Sequence, residues 1–246
     1  MLKEHCFTQV INLRRSTERL RLASESLNRV GVAFSRHEAV DGEDLDENQI
    51  ELYSRRAAKR YFGRPLSRGE LGCYLSHRAA LGEFIASGSQ FGLILEDDIV
   101  VSEDFAKIVS QLVASSANWT GAANLGSVDV PVSTSVLEFE HASERRCLCQ
   151  TPKFPTFATA ILWTKSEAQE FLTADRLINA PLDHAYQRWF TKRGKGFAVL
   201  PPIATQSKID TEIGGRNQSR KTISGRISYH WAKTRRDLLL ALHSRI

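Results

Sequence analysis

The 246-residue sequence predicts an α/β protein in which helices cover both faces of a mostly parallel sheet. Short aliphatic runs alternate with longer segments whose apolar residues recur every three to four positions, as in amphipathic helices. The aliphatic runs are nearly continuous, which is typical of parallel strands buried on both faces. Apolar residues make up 42% and charged residues 25% of the chain, as in ordinary globular proteins.

The N-terminal part of the chain has the pattern of a β-α-β unit. Residues 6–13 form an aliphatic run typical of a buried strand, and Ser16 is positioned to cap a helix that ends at Gly31. A short second strand is predicted through residues 32 and 34, ending near residues 39–42. The polar stretch 43–65, rich in both charges, is predicted to form a surface helix or a mobile segment.

A capping-box pattern precedes the next predicted helix. Ser67 and Glu70 have the spacing at which each side chain bonds the backbone N–H of the other residue. Apolar positions at helical spacing then continue to Ile85. A strand is predicted at 91–95, so this helix leads into a strand that ends in the acids at 96–98.

The rest of the chain continues the alternation. Ser102 is positioned to cap a helix that extends through Leu112. The further predicted elements are strands at 122–125, 157–163 and 197–200 and helices near 166–173 and 183–190. Such sheets bind ligands at the carboxyl ends of their strands, where Asn12, Asp41 and the acids at 96–98 fall. A P-loop or dinucleotide fingerprint is disfavoured, because the sequence has no phosphate-cradling glycine loop.

The stretch LILEDDIV at 93–100 contains three carboxylates where a buried strand ends. Neighbouring carboxylates repel one another and are costly to bury, so a cation is expected beside them. In an extended segment Glu96 and Asp98 point to one side and Asp97 to the other. Glu96 and Asp98 can then share a hard divalent cation, Mg²⁺ or Mn²⁺, that keeps open positions for the phosphates of a nucleotide diphosphate.

Two alternatives explain the same acids. They can form a solvated turn, which is common for acidic clusters. They can also form the acid pocket of a receiver-type phosphoacceptor signalling domain, in which Asp129 accepts the phosphate and Lys153 lies further on. Receiver domains carry their acidic pair near the start, however, and 92 residues precede the stretch LILEDDIV here.

Basic residues are concentrated at the C-terminus. Residues 214–246 carry eight Lys or Arg against one acid, a net charge of +7, whereas residues 1–213 carry −2. We therefore expect a domain at 1–213 and a basic helical tail at 214–246. Five apolar residues of the tail fall within one helical arc, namely Ile227, Trp231, Leu238, Leu242 and Ile246.

The composition of the tail is typical of a helix that lies on an anionic membrane surface. Each cation near such a surface contributes about 1 kcal/mol before salt screening. The alternative is a C-terminal helix that packs on the core and leaves a basic face in solvent. Nucleic-acid binding is not expected, because no recognition module accompanies the charge.

A cytoplasmic protein is expected, with peripheral attachment to the inner membrane as a hypothesis for the tail. No stretch approaches the roughly 18 to 20 apolar residues of a membrane span, and the N-terminus lacks the apolar core of a signal peptide. Cys147 and Cys149 are interpreted as reduced thiols, because the sequence has no pair of Cys-x-x-Cys zinc knuckles.

The sequence resembles glycosyltransferase family 25, which includes bacterial enzymes that extend lipopolysaccharide or lipooligosaccharide cores. The resemblance covers some 200 residues in order along the chain. The segments that carry it are VINLRRSTERL (10–20), HEAVDG (37–42), LSRGELGCYLSHRAAL (66–81) and LILEDDIVVSEDF (93–105). The weaker matches are FPTFATAILWTKSEAQEFL (154–172), PLDHA (181–185) and PPIATQ (201–206).

The resemblance implies a GT-A type, Rossmann-like fold whose acidic motif holds Mn²⁺ or Mg²⁺ against a UDP-sugar. It implies transfer of a hexose, commonly galactose, with inversion, onto a lipid-linked or oligosaccharide acceptor of the core glycan. Glu96-Asp97-Asp98 occupies the motif usually written Asp-x-Asp, and the Glu is a departure. Asp98 would be the direct metal ligand, and Glu96 and Asp97 would contact the metal's waters, the ribose or the donor sugar. A catalytically silent sugar-nucleotide-binding protein with this fold is the alternative.

The resemblance also implies roles for residues outside the acidic motif. The residues expected to contact the nucleotide are Asn12, Arg15, Arg19, Asp41, Ser76, His77 and Arg78. Inversion requires a base that takes the proton of the acceptor hydroxyl, and Asp183 is the candidate beside the catalytic acids Asp97 and Asp98. Asp183 has the alternative role of a helix N-cap, and His184 is a lesser candidate for a base or metal contact.

Overall fold

The computed structural model of the chain describes residues 6–127, 130, 134–141, 144–207 and 223–243. Asp129, the phosphate acceptor of the receiver-type alternative, lies outside the described residues, as do the predicted boundary at 213/214 and Ile246. Within the described part, no helix combines the length and the apolar character that a bilayer span requires.

The fold is built on an eight-stranded sheet with the order β2-β1-β3-β8-β5-β9-β7-β6. Its strands are β1 (Cys6–Asn12), β2 (Ser35–Glu38), β3 (Phe91–Glu96), β5 (Ala122–Asn124), β6 (Thr134–His141), β7 (Glu144–Gln150), β8 (Ala160–Thr164) and β9 (Gly196–Leu200). Six strands run in one direction, and only β7 and β8 run in the other. A separate antiparallel pair joins β4 (Ile99–Val101) to β10 (Ala204–Gln206).

Helices cover both faces of this sheet, as predicted. They are α1 (Thr17–Arg29), α2 (Arg55–Tyr61), α3 (Arg68–Ala86), α4 (Phe105–Ala114), α5 (Lys165–Ala174), α6 (Leu182–Arg193) and α7 (Ile223–His243). Leu93 and Leu95 of β3 pack on the core beneath α1 and α4, whereas Ile94 packs on the core beneath α3, α5 and α6. Because successive side chains of a strand alternate between faces, both faces must be apolar. The predicted fold class, an α/β domain with a mostly parallel sheet, is confirmed.

The second strand begins later than the sequence pattern indicates. Residue 32 was expected within the strand, but the Val32 N–H donates to the Leu27 carbonyl at 3.0 Å and closes the end of α1. Gly31 has a φ of +73°, the left-handed conformation that commonly ends helices at glycine. The chain therefore completes a helix cap before β2 starts at Ser35.

The loop after β2 lies directly against α3, and glycines allow this approach. A Cβ atom on Gly42 would lie 2.3 Å from the Arg68 carbonyl oxygen, and one on Gly72 would lie 2.6 Å from the Val40 carbonyl oxygen. The Val40 N–H also donates to the Ser76 hydroxyl at 2.8 Å. These contacts hold residues 39–42 beside the carboxyl end of β3.

The predicted capping box at the start of α3 is confirmed. Ser67 accepts from the Glu70 N–H at 3.2 Å, and Glu70 accepts from the Ser67 N–H at 2.8 Å. Glu70 is also paired with the Arg64 guanidinium at 2.6 Å. The polar segment before α3 contains two short 3-10 turns and α2, which matches the surface-helix expectation for 43–65.

The hairpin of β6 and β7 was not predicted. These strands carry many charged residues, and they lie at one edge of the sheet, where one face of an antiparallel strand can stay in solvent. Arg146 on β7 is nevertheless buried, because its guanidinium is paired with the buried Asp104 carboxylate. A segment rich in charged residues therefore forms an antiparallel hairpin at the edge of the sheet.

The C-terminal helix α7 packs on the core with a face that contains a cation. Ala232, Arg236 and Leu240 are buried, whereas the three stripe residues whose side chains are described, Trp231, Leu238 and Leu242, point to solvent. The exposed fractions are 74% for Trp231, 63% for Leu238 and 67% for Leu242. Lys233 and Arg235 are also exposed, so the core-packed helix leaves basic and apolar residues in solvent together.

Candidate functional site

A cleft of about 1180 Å³ opens at the carboxyl ends of β1, β2 and β3. These strands are parallel and adjacent, so the residues that follow them meet at one edge of the sheet. The predicted site residues that line the cleft are Arg15, Arg19, Asp41, Ser76, His77, Glu96, Asp97, Asp98 and Asp183. The structure therefore brings together most of the predicted set.

The acidic motif is bent at its centre. Glu96 ends β3, but Asp97 and Asp98 form a turn before β4. The expected alternation, with Glu96 and Asp98 on one side, therefore stops at Glu96. Asp97 and Asp98 share a single cation instead, because the Arg19 guanidinium pairs with Asp97 Oδ1 and lies 3.3 Å from Asp98 Oδ2.

Arg19 supplies part of the positive charge that the carboxylates require. Its side chain is 15% exposed, and those of Asp97 and Asp98 are 7% and 6% exposed. Ion pairs that are shielded from water are screened weakly, so this contact is strong. Arg19 is a member of α1, which begins just after β1, and the β-α turn explains why it reaches the end of β3.

Asp98 is the acid whose charge is least compensated. Burial, followed by the negative charge of Glu96, raises the pKa of Asp98 to about 6. Its Oδ2 accepts from the Gln206 amide, but its Oδ1 is buried and has no hydrogen-bond partner among the described residues. A buried carboxylate oxygen without a donor is suited to a cation.

Glu96 has different partners on the α3 side of the cleft. Its carboxylate lies 3.2 Å from His77 Nε2 and accepts from the Thr159 hydroxyl at 3.2 Å. Burial acts to raise the pKa of Glu96, but these hydrogen bonds outweigh it and lower the pKa. The ligand atoms of Cys73, His77 and Glu96 lie within 4.8 Å of one another, so they form a second possible donor set for a metal ion.

Asn12 and Arg78 do not line the cleft, and each holds another element in place. Asn12 Nδ2 donates to Asp97 Oδ2 at 2.7 Å and to the Ser16 carbonyl at 2.9 Å, so Asn12 orients the acid from behind. Arg78 Nη1 donates to the Asp175 carbonyl at 2.7 Å and its carboxylate at 3.0 Å. Arg78 thereby ties α3 to the end of α5.

The far edge of the cleft carries a second ion pair. Arg15, 45% exposed, pairs with Asp41 in the loop after β2, and Asp41 Oδ1 accepts from the Glu43 N–H at 3.0 Å. Ser76 lines the cleft, but its hydroxyl is committed to the Gly72 carbonyl at 2.7 Å and to the same loop. Its role in the structure is to hold the Asp41 loop.

Asp183 also lines the cleft, in the first turn of α6. The N-cap of this helix is Pro181, so the N-cap alternative for Asp183 is wrong by two positions. Asp183 Oδ1 accepts from the His184 N–H at 2.8 Å. The His184 ring lies 5.1 Å from the Phe62 ring, and burial lowers the pKa of His184 against the opposing effect of the Asp183 carboxylate.

Two cleft residues that bond the acids were missed by the sequence analysis. Thr159 precedes β8 and Gln206 ends β10, and both lie in segments that were recognised only as weak family matches. Thr159 reaches Glu96 because β8 is the neighbour of β3 in the sheet. Gln206 reaches Asp98 because β10 pairs with β4. The only available signal was the position of each residue at a strand end.

The fold and the cleft define an α/β protein with an open cleft and an acidic turn at the end of a central strand. The sequence pattern of one family matches residues 6–185, and its description is "Glycosyltransferase family 25 (LPS biosynthesis protein)". This match covers well over half of the chain, and the chain belongs to glycosyltransferase family 25. With this assignment the receiver-type alternative loses its support.

Several relatives are similar over a shorter stretch. Procollagen galactosyltransferase 1 of Danio rerio is 33% identical over 108 residues, 42% of this chain and 18% of that protein. Procollagen galactosyltransferase 2 of Homo sapiens is 32% identical over 108 residues, 42% of this chain and 17% of that protein. A probable inactive glycosyltransferase 25 family member 3 of Rattus norvegicus is 30% identical over the same length, 42% of this chain and 19% of that protein. The matched stretch spans less than a fifth of these relatives.

Proposed function

We propose that the protein is a metal-dependent, inverting hexosyltransferase that moves galactose from a UDP-sugar to a lipopolysaccharide or lipooligosaccharide core glycan. Membership of family 25 supports glycosyl transfer, and its description names lipopolysaccharide biosynthesis. The names of two relatives support galactose as the transferred sugar. The rival function is binding of a sugar nucleotide without catalysis, and the name of another relative, a probable inactive family member, supports it.

One observation carries the proposal. The carboxylates at 96–98, of which Asp97 and Asp98 are buried and Glu96 is half-buried, line the same cleft as Asp183. Transfer with inversion needs charge stabilisation at the leaving diphosphate and a base on the other side of the sugar. The cleft volume of about 1180 Å³ lies above the range of roughly 300 to 1,000 Å³ that is usual for small-ligand sites, which supports a site that takes both a donor and an acceptor.

The residues at the acidic turn fit a hard divalent cation. Asp98 Oδ1 is buried without a donor, and Asp98 carries an unfavourable charge that a cation would relieve. Asp98 would hold Mn²⁺ or Mg²⁺, and Glu96 and Asp97 would contact its waters, the ribose or the sugar. When bound, such an ion supplies Lewis-acid stabilisation of the departing diphosphate. The set of Cys73, His77 and Glu96 would suit a softer ion, which has more affinity for thiolate and imidazole.

The protein's own cations act on the same negative charge. Arg19 is held at the acids by two carboxylates, and its guanidinium would face the diphosphate of the donor. Arg15 and Asp41 form the opposite edge of the cleft, where the base or ribose would lie. Asn12 contributes by fixing the orientation of Asp97, and it need not touch the nucleotide.

Asp183 is the proposed general base. It lines the cleft on the first turn of α6. An ionised carboxylate can take the proton of the acceptor hydroxyl as that oxygen attacks the anomeric carbon. The proton then stays on Asp183 until the product leaves.

The central experiment measures UDP release from UDP-galactose with Mn²⁺ and a core oligosaccharide acceptor. Asp98→Asn should lower kcat/KM by at least about 100-fold, because it removes the proposed metal ligand. Glu103→Gln, which neutralises an exposed acid outside the cleft, should retain full activity. Cys73→Ser should also stay active if the oxygen ligands hold the metal. Normal turnover by Asp98→Asn, or UDP-sugar binding by wild type without turnover, would contradict the proposal.

The lipid-linked form of the acceptor and the membrane attachment are part of the proposal. The exposed stripe of α7 contains Trp231 and Leu238, and the helix carries exposed cations beside it. Such a surface is suited to anionic headgroups. The double variant Trp231→Ser/Leu238→Ser should fail to float with anionic liposomes, whereas wild type and Leu177→Ser, which alters an exposed leucine elsewhere, should float. Equal flotation of all three would rule out attachment through this stripe.

A further inference from the structure

A second cavity, of about 150 Å³, lies beside the cleft and contains basic residues that the proposed reaction does not use. Three of its lining residues, Thr156, His184 and Tyr229, also line the main cleft. The cavity therefore adjoins the wall that carries Asp183. We call it the basic side cavity, and its charged residues are Lys153, Lys233, Arg236 and Asp237.

Arg236 is the buried cation of this cavity. It is 5% exposed, and its Nη1 donates to the carbonyls of Tyr61 at 3.1 Å and Phe62 at 2.9 Å. Its guanidinium lies 4.5 Å from the centre of the Phe62 ring. These contacts fix the orientation of the guanidinium without neutralising its charge. Burial lowers the pKa of Arg236, as expected for a cation taken out of water.

The cavity contains more positive than negative charge. Among the described residues that line it, the one carboxylate belongs to Asp237, which lies 3.6 Å from Lys153 Nζ. Because Asp237 is paired with Lys153, the positive charges of Lys233 and Arg236 are not balanced by a carboxylate among the described lining residues. A buried or half-buried cation is stabilised by an anion, and Arg in particular forms paired hydrogen bonds with phosphate or carboxylate.

We infer that the basic side cavity binds an anionic substituent, a phosphate or a carboxylate, of the acceptor glycan. The inference rests on the proposed function, because it makes the neighbouring cleft wall the acceptor side. The volume of about 150 Å³ is below the roughly 300 Å³ at which small-ligand pockets begin, so the cavity suits one charged group and not a whole sugar residue. The charged group would anchor the acceptor while its hydroxyl lies near Asp183.

The position of the cavity separates it from the donor diphosphate. The diphosphate is expected at the acidic turn, at residues 96–98, and these residues do not line the basic side cavity. α7 supplies most of the cavity residues, so this helix would act in acceptor recognition as well as in the proposed membrane contact. Acceptors that lack the anionic group should therefore bind more weakly at an unchanged donor affinity.

The test compares the binding of glucose 6-phosphate, glucose and inorganic phosphate by calorimetry. Glucose 6-phosphate should bind wild type most tightly of the three. Lys233→Gln should weaken this binding about fivefold, a modest loss because Lys233 is exposed. The matched control is Arg235→Gln, which removes one charge from the exposed face of the same helix, and its affinity should stay within about twofold of wild type.

Three results would overturn the inference. They are equal affinities for glucose 6-phosphate and glucose, an equal affinity of Lys233→Gln and wild type, and undetectable binding to wild type. If inorganic phosphate binds as tightly as glucose 6-phosphate, the cavity is a free-anion site and not an acceptor site. UDP binding with Mn²⁺ is measured on the same samples, so that a failure of the donor site, which would contradict the proposed function, is distinguished from a failure of the cavity.

Discussion

Replacing Asp98, the least compensated acid of the cleft, should stabilise the metal-free protein while it abolishes activity. Burial and the charge of Glu96 raise the pKa of Asp98 from 3.8 to about 6. A shift of one unit corresponds to about 1.4 kcal/mol, so the ionised Asp98 costs about 3 kcal/mol of folding free energy at neutral pH. Asp98→Asn removes this cost and retains an oxygen that can accept from Gln206. We expect a gain of about 1 to 3 kcal/mol in the free energy of unfolding, because local relaxation reduces the full value.

The sign of the pH dependence follows from the raised pKa. The folded protein binds the proton of Asp98 more readily than the unfolded chain, so this contribution to stability is fully present below pH 3.8 and is lost as the pH rises through about 6. The advantage of Asp98→Asn over wild type should therefore be small near pH 4 and complete above about pH 7.

The assay is urea unfolding followed by tryptophan fluorescence in the presence of a chelator, at several pH values between the two limits. The exposed control Glu103→Gln should remain within about 0.5 kcal/mol of wild type throughout. Added Mn²⁺ should then stabilise wild type more than Asp98→Asn. An equal free energy of unfolding for Asp98→Asn and wild type at neutral pH, or a difference that does not change with pH, would refute the electrostatic reasoning.

Three further predictions concern the scaffold around the cleft. Gly72→Ala should lower the free energy of unfolding by about 1 to 3 kcal/mol and raise the KM for the donor, because its Cβ would lie 2.6 Å from the Val40 carbonyl oxygen. Gly82→Ala in the same helix has open space and should raise the free energy of unfolding by about 0.5 to 1 kcal/mol. Thermal unfolding of both variants measures these changes. Glu167→Gln should lose about 3 kcal/mol in urea unfolding, because this fully buried carboxylate accepts from an indole, a guanidinium and an ammonium group. Ser67→Ala should lose about 1 kcal/mol through its cap, and a loss below about 0.3 kcal/mol would contradict that role.

Local sequence patterns predicted most of the helices and strands, because the formation of these elements depends largely on residues that are neighbours in the chain. The capping box of Ser67 and Glu70 and the aliphatic run of β3 are such patterns, and both are present in the structure. Predictions failed where a turn overrode the pattern. Val32 was drawn into the cap of α1, and the turn at 97–98 ended the strand alternation that would have aligned Glu96 with Asp98.

The sequence by itself determined that three acids follow a buried strand and that the chain resembles family 25 along most of its length. Only the tertiary structure decided which groups meet those acids. Arg19, Thr159 and Gln206 are distant in the chain, and they reach the cleft because of the strand order and the pairing of β4 with β10. The face on which α7 packs is likewise a tertiary outcome, since burying Arg236 against backbone carbonyls left the apolar stripe in solvent. Hydrophobic periodicity depends on residues that are close in the chain, whereas charge compensation and packing depend on residues that are close in space. The contacts of the acids and the buried face of α7 therefore could not be predicted from the sequence pattern.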